Sequence, residues 1–269
     1  MEDKWMDKRL TFNEDAANYD KWRPRYCDEL FLDIIRYSRL DTEKHVVEIG
    51  CGTGQATEPI LKTGCSVTAI ELGEKLALFA HTKFESYRKF KVFNVAFEDF
   101  KYEHDSVDLV YSATAFHWIP KEIGYPKCFE MLKKDGAIAL FWNRPGKNDD
   151  LLDQKLQEIY SRYTAEGKFV GAGNQSGKKR AENKEERYAL ISNTIHNYGF
   201  IDLETHVYQQ TRTFSAENYI SLLDTYSDHI SMLAKEKERL YDEIKTAINS
   251  FGGIIDITDT IDLYLARKP

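Results

Sequence analysis

No stretch of this sequence approaches the roughly 18 consecutive apolar residues of a membrane-spanning helix. The charged N-terminus, Met1 to Lys8, lacks the apolar centre of a secretory signal. Cysteine is scarce: Cys27, Cys51, Cys65 and Cys128 are the only four. They form no C-x-x-C pair and share no zinc-type spacing with histidine, which argues against a disulfide scaffold and against a metal site. Scattered single thiols suit a reducing, cytoplasmic compartment. Positive charge is also in short supply, since 37 Lys and Arg against 44 Asp and Glu leave a net charge of −7. Nucleic acid is therefore not an expected partner, because phosphate contacts need clustered basic residues. No membrane partner is expected and no internal repeat is evident.

What is present is a core. Of 269 residues, 42% are hydrophobic and 13% aromatic, with 16 Tyr, 15 Phe and 4 Trp. A chain of this length buries about 70–75% of its unfolded surface without disulfide or metal staples. The length implies one large domain, or one domain with an insertion.

The chain divides into unlike parts. Residues 1–40 read as helical, with a helix over Asn13 to Tyr19 broken at Trp22-Arg23-Pro24-Arg25 and a second from Pro24 to Tyr37. Residues 45–142 alternate apolar runs with helical stretches. The runs are 45–50, 66–71, 90–95, 107–112 and 136–142, and the helices are 55–62, 73–87 and 124–133. That alternation predicts βαβ units and a parallel sheet with right-handed crossovers. Residues 143–200 are mainly helical, over 148–163 and 181–198, around a Gly- and Lys-rich loop at 167–179. A strand over 201–214 follows. Helices over 216–224 and 226–249 make an insertion at 215–249 before a final strand over 254–266.

The informative motif is Val46-Val47-Glu48-Ile49-Gly50-Cys51-Gly52-Thr53-Gly54-Gln55. A buried strand feeds a glycine-rich turn, and glycine lets backbone approach a ligand with no Cβ in the way. The spacing is not the dinucleotide G-x-G-x-x-G, and no Gly-Lys-Ser/Thr follows to make a P-loop. Glu71 ends the next apolar run. In an open α/β sheet it stands beyond a strand carboxyl end, beside the loop, where it can accept from two ribose hydroxyls.

These residues resemble class I S-adenosylmethionine-dependent methyltransferases, well over 45–142 and in outline over the whole chain. The resemblance implies an α/β, Rossmann-like, doubly wound seven-stranded sheet with its last strand antiparallel, preceded by N-terminal helices and carrying a helical cap. It implies S-adenosyl-L-methionine as cofactor. Gly50, Gly52 and Gly54 become the loop facing the methionine part, Glu71 the ribose acceptor with Leu72 beside it, and Glu48 a group that orients the loop or meets the methionine ammonium. Ala96 and Phe97 stand where the family reads adenine. They offer no side-chain acceptor there and leave the Phe97 backbone N–H to bond the ring. Ser112 ends the fourth strand. Ala115-Phe116-His117-Trp118 after that strand, with Ala16-x-x-Tyr19 and Arg23-Pro24-x-Tyr26 upstream, resembles a type 11 subgroup that includes trans-aconitate and other small-molecule methyltransferases.

Methyl transfer from a sulfonium needs mostly alignment and exclusion of water. A base helps only a weakly acidic hydroxyl or a protonated amine, and His117 is the candidate catalytic group. Tyr19 and Arg23 are expected against the cofactor, Arg23 through its fork to a carboxylate. Phe12, Trp22, Trp118 and Arg144 are expected to line the acceptor, the aromatic faces favouring a nearby cation. The acceptor is expected to be a small molecule, a carboxylic acid or other metabolite, and the protein a monomer or homodimer. Two other readings stay open: a methyltransferase acting on RNA or protein, although an Asn/Asp-Pro-Pro-Tyr motif is absent from 112–118, and a module that binds the cofactor without turnover.

Overall fold

A computed structural model describes residues 13, 15–147, 150–163 and 177–269. Two helices come first. α1 (Ala16–Trp22) is capped by the Asp15 carboxylate, which accepts from the Asn18 N–H, and it ends where Arg23 turns extended ahead of Pro24. α2 (Asp28–Ser38) buries Leu30, Phe31, Ile34 and Tyr37 on one face.

The alternating segment follows as β1 (His45–Ile49), α3 (Thr57–Leu61), β2 (Ser66–Glu71), α4 (Glu74–Lys83), β3 (Phe90–Asn94), β4 (Val107–Ala113), α5 (Lys121–Met131) and β5 (Leu132–Lys147). The remainder is α6 (Asp150–Ser161), α7 (Gly177–Asn197), β6 (Ile201–Ser215), α8 (Ala216–Leu223), α9 (Ser227–Ile230), α10 (Ala234–Ser250) and β7 (Ile254–Arg267).

The strands form one seven-stranded sheet in the order β3-β2-β1-β4-β5-β7-β6. β1 pairs in parallel with both β2 and β4, and β7 runs antiparallel between β5 and β6. The strand order reverses between β1 and β4, so the loop after β1 opens at the switch point where ligands of such sheets bind. Val46, Leu109, Phe141 and Ile261 pack under α2 on one sheet face. Val47, Val110, Ile138 and Leu140 pack against Tyr125, Cys128 and Met131 on the other. Burial on both faces explains why the parallel strands read as unbroken apolar runs.

Three of the differences from the sequence reading bear on the site. β5 continues through Lys147 rather than stopping at Trp142, because Trp142 to Lys147 pair with Asp262 to Ile257 of β7. Arg144 therefore sits within a strand. The helix expected over 226–249 is two, α9 and α10, separated near Met232 and Leu233. The cap is larger than the 215–249 insertion. Leu152, Leu156, Ile159 and Tyr160 of α6 share one buried cluster with Tyr219, Leu223, Leu240, Ile244 and Ile248. Residues 164–176, most of the expected loop at 167–179, lie outside the described residues.

Ser215 caps α8 by accepting from the Asn218 N–H, and Gly199 follows α7 with φ +89°, both as the residue types predict. All four cysteines are free thiols. Among the described residues no helix is long and apolar enough to cross a membrane, and no group of three or more His, Cys, Asp or Glu is arranged to hold a metal ion.

Candidate functional site

The glycine loop leaves β1 on positive backbone angles, φ +68° at Gly50, +58° at Gly52 and +87° at Gly54. Space is as restrictive as conformation. A Cβ on Gly50 would lie 2.5 Å from the Cβ of Ala115, and one on Gly54 would lie 2.2 Å from the Phe84 ring. The loop is thus pressed between the turn after β4 and the end of α4. Gly50 N–H donates to the Ile70 carbonyl at 2.8 Å, which holds the loop to the neighbouring strand.

Glu71 reaches the loop from the end of β2. One carboxylate oxygen accepts from Gly52 N–H and the other from Gly73 N–H, each at 2.8 Å. Burial raises its pKa, while the N–H groups of Gly73 and Gly52 pull the other way. Each oxygen keeps an accepting lone pair, so a carboxylate already fixed in direction is available to a pair of hydroxyls. Leu72, next along, is partly buried, and its carbonyl accepts from Asn94 Nδ2 at 2.8 Å.

Glu48 lies beneath the loop and is 1% exposed. Its Oε2 accepts from the Thr57 hydroxyl at 2.6 Å, and its Oε1 has no hydrogen-bond partner. Burial pushes its pKa up to about 7. The arrangement ties Glu48 to the helix after the loop. Ser112, at the end of β4, donates to the Ile49 carbonyl at 2.9 Å and so braces the strand that carries the loop.

α1 roofs the loop. The Tyr19 ring stands 3.4 Å from where a Cβ on Gly52 would be, and burial raises its pKa. The Arg23 guanidinium lies between the Tyr19 ring, at 4.9 Å, and the Tyr226 ring of the cap, at 4.5 Å. Its Nη2 donates to the Thr225 carbonyl at 2.6 Å, and Asn18 Nδ2 donates to the Ser221 carbonyl at 3.3 Å. These contacts join α1 to the cap above the strand ends. Trp22 turns away from the loop. It packs on Phe214, with ring centroids 6.3 Å apart, and lines a groove of about 480 Å³ with Lys21, Arg25 and Arg212. Phe12 lies outside the described residues.

Beyond β4 the chain turns at Thr114, whose φ of +56° is rare for a β-branched residue. Its hydroxyl bonds Tyr26 at 2.9 Å and accepts from Asn143 N–H at 3.0 Å, holding three segments together. The His117 ring follows, tilted against Trp118 at 5.0 Å. Its Nδ1 accepts from the Trp142 indole N–H at 3.2 Å. The neutral ring therefore carries its proton on Nε2 and presents a donor there. Surrounding protein, and then the nearby Arg144 charge, push the His117 pKa down to about 4, although one side of the residue faces solvent. Arg144 Nε pairs with Asp262 at 3.0 Å.

At the third-strand end Val95 N–H donates to the Glu71 carbonyl at 3.1 Å, which brings Ala96 and Phe97 next to Glu71. Both residues are buried. Phe97 opens a 3-10 turn (Phe97–Asp99), so the turn itself leaves its N–H without an acceptor. Lys127 Nζ sits 5.2 Å from the centroid of the Phe97 ring and donates to the Glu98 carbonyl at 2.8 Å.

The structure thus gathers Tyr19, Glu48, the three glycines, Glu71, Leu72, Ala96, Phe97 and Ser112 around one loop, with Arg23 joining them to the cap. His117, Trp118, Trp142 and Arg144 form an adjacent group, touching the loop through Ala115. Two sets of polar residues escaped the sequence reading. Asn13, Asp20, Thr53 and Lys83 bond α1 to the loop and to α4. Asp259 and Asp262 of β7 are fully buried, Asp259 against Arg212 and Asn143, Asp262 against Arg144, Arg187 and Tyr188. Asp259 did leave a signal, since it falls on the apolar phase set by Ile255, Ile257, Ile261 and Leu263.

Residues 46–136 match the family model described as a methyltransferase domain. An uncharacterized methyltransferase of Schizosaccharomyces pombe is 23% identical over 260 residues, spanning 95% of this chain and 93% of the relative. A probable S-adenosylmethionine-dependent methyltransferase of Saccharomyces cerevisiae, CRG1, is 34% identical over 140 residues, 49% of this chain and 46% of the relative. Among solved structures, phosphoethanolamine N-methyltransferase 2 of Haemonchus contortus, in complex with phosphomonomethylethanolamine and S-adenosylhomocysteine, superposes with a TM-score of 0.55 at 13% identity. The match covers 98% of this chain and 59% of that one.

Proposed function

We propose that the chain is a class I S-adenosylmethionine-dependent methyltransferase that methylates a small molecule held between the β4–β5 strand ends and the joined roof of α1 and cap. The observation that carries this reading is the junction itself. Arg23 and Asn18 of the α1 segment bond the Thr225 and Ser221 carbonyls of the cap directly above the loop. A roof closed this way suits an acceptor that fits wholly beneath it. A folded protein or RNA surface would have to prise α1 from the cap. The net charge of −7 favours the same side.

The residues present fit the cofactor. Three positive-φ glycines bring bare backbone to one point, and the buried Glu71 carboxylate is already aimed by two N–H groups. In this reading Glu71 and Leu72 hold the ribose, and the loop with Tyr19 and Arg23 holds the methionine part. Ala96 and the Phe97 N–H hold the adenine, and Glu48 and Ser112 brace the loop from below. When bound, S-adenosylmethionine supplies a methyl group already activated on a sulfonium, so little acid–base work remains for the protein. Trp118 and Arg144 wall the acceptor. His117 donates from Nε2 and orients it, and its tautomer makes it a poor base at that nitrogen. Trp22 belongs to the outer margin of the same domain, which spans 1–269 with 1–40 as its helical lid and 215–249 as the main part of its cap.

The test is to incubate the purified chain with cell extract and methyl-tritiated cofactor, then separate small molecules from macromolecules. Label is expected in the small-molecule fraction. Label confined to protein or RNA would overturn the proposal.

A further inference from the structure

Beyond the residues that would touch the cofactor, the geometry points to Asp20 as a positioning residue that clasps α1 onto the glycine loop and sets how long the cofactor stays bound. The inference rests on the cofactor site proposed above.

One oxygen of Asp20 gathers three elements. Oδ1 accepts from the Thr53 hydroxyl of the loop at 2.9 Å and from Lys83 Nζ, the last residue of α4, at 2.7 Å. Lys83 Nζ also donates to the Thr53 carbonyl at 3.2 Å, closing a ring of contacts between α1, loop and α4. Arg25 adds a second cation 3.0 Å from the same oxygen. The clasp is sheltered: Thr53 is fully buried, and the Asp20 and Lys83 side chains are 21% and 26% exposed. Partly buried charge pairs are screened less by salt than open surface pairs.

The lid segment is fastened a second time. The Asn13 side-chain oxygen accepts from Lys75 N–H at 2.6 Å and from Leu76 N–H at 3.3 Å, capping the first turn of α4 just after Glu71 and Gly73. Asn13 and Asp20 thus grip the two ends of α4, and Tyr19 stands over Gly52 of the loop. The consequence for the cofactor follows from position on the helix. Tyr19, over Gly52, directly precedes Asp20, and Arg23 follows one turn later. Lifting Asp20 from Thr53 lifts Tyr19 from Gly52, and Arg23 moves with the Tyr19 ring it packs on. A bound cofactor therefore leaves only when the clasp opens, and the clasp governs release more than it governs chemistry.

The experiment uses the full chain and S-adenosylhomocysteine as probe, with release followed by stopped-flow displacement. Asp20→Asn and Lys83→Met are each expected to speed release about tenfold, the scale of one charge-assisted hydrogen bond. The double variant should be little faster than either, because the two residues act as one contact. Turnover at saturating cofactor should fall far less than affinity does. A readout without cofactor accompanies this: amides of residues 16–22 should exchange with solvent faster in Asp20→Asn than in the wild type. Thr53→Val, which removes only the hydroxyl, should speed release in the same direction and guards against an Asp20 variant that folds poorly. Release within twofold of wild type in both Asp20→Asn and Thr53→Val would overturn the clasp. If Glu71→Ala binds the probe weakly while these variants bind normally, the clasp alone fails. If Glu71→Ala binds as tightly as wild type, the cofactor-site reading fails with it.

Discussion

Glu48 is the residue whose protonation the fold has altered most instructively. Its carboxyl is buried under the loop with one oxygen unpartnered, and its pKa rises from 4.5 to about 7. A raised carboxyl pKa means that the folded chain holds the proton more tightly than the unfolded one. Stability linked to Glu48 is thus full below about pH 4.5 and is lost as pH rises toward about 7. Glutamine mimics the protonated acid. We expect Glu48→Gln to match wild type near pH 4.5 and to be more stable above pH 7, by a margin on the order of 3 kcal/mol at most. Urea unfolding at a series of pH values measures this, and a pH-independent difference would contradict it.

At the scale of elements, the strand–loop–helix unit depends on backbone that only glycine supplies cheaply. Gly54 has φ +87°, and a methyl group there would overlap Phe84, the residue that ends α4. Gly54→Ala should cost about 1–3 kcal/mol for the backbone alone, plus the displacement of Phe84. A lowered melting temperature together with weakened cofactor binding is the expected outcome, and thermal unfolding with and without cofactor checks it. This unit was legible from sequence because its signals are local: apolar runs bounded by glycine, and an acid at the end of the second run. The far half of β5 was not. Asn143-Arg144-Pro145-Gly146 reads as a loop, yet it pairs with β7. Its pairing with β4 ends at Phe141, so beyond that point the donor that Pro145 lacks is not needed on that side. The polar clasps were equally hidden. Asp20 meets Thr53 and Lys83, and Asn13 meets Lys75, across 33 to 63 residues of chain that no spacing rule connects. Asp259 could have been noticed as a carboxylate in an apolar phase, but its partner Arg212 is 47 residues distant.

For the whole molecule, the sheet separates two apolar clusters, while a third ties α6 to the helices inserted between β6 and β7. The sheet, with the cap seated on it through Phe214, Ile255 and Ile257, supplies a rigid floor, and α1, which buries no residue of its own, supplies a roof held by side-chain hydrogen bonds. That division places stability in the floor and opening in the roof, which is what admission of cofactor and acceptor requires. The Tyr26 and Thr114 hydroxyls bond each other, which ties Arg23-Pro24-x-Tyr26 to the turn that precedes Ala115 to Trp118. The account stands on one claim above the rest: the glycine loop and Glu71 together hold S-adenosylmethionine. Calorimetric titration of the wild-type chain and of Glu71→Ala tests it. The predicted result is micromolar-range binding to the wild type that falls at least tenfold in the variant, the scale of losing a carboxylate bonded to two hydroxyls. Equal affinity in the two proteins would contradict it.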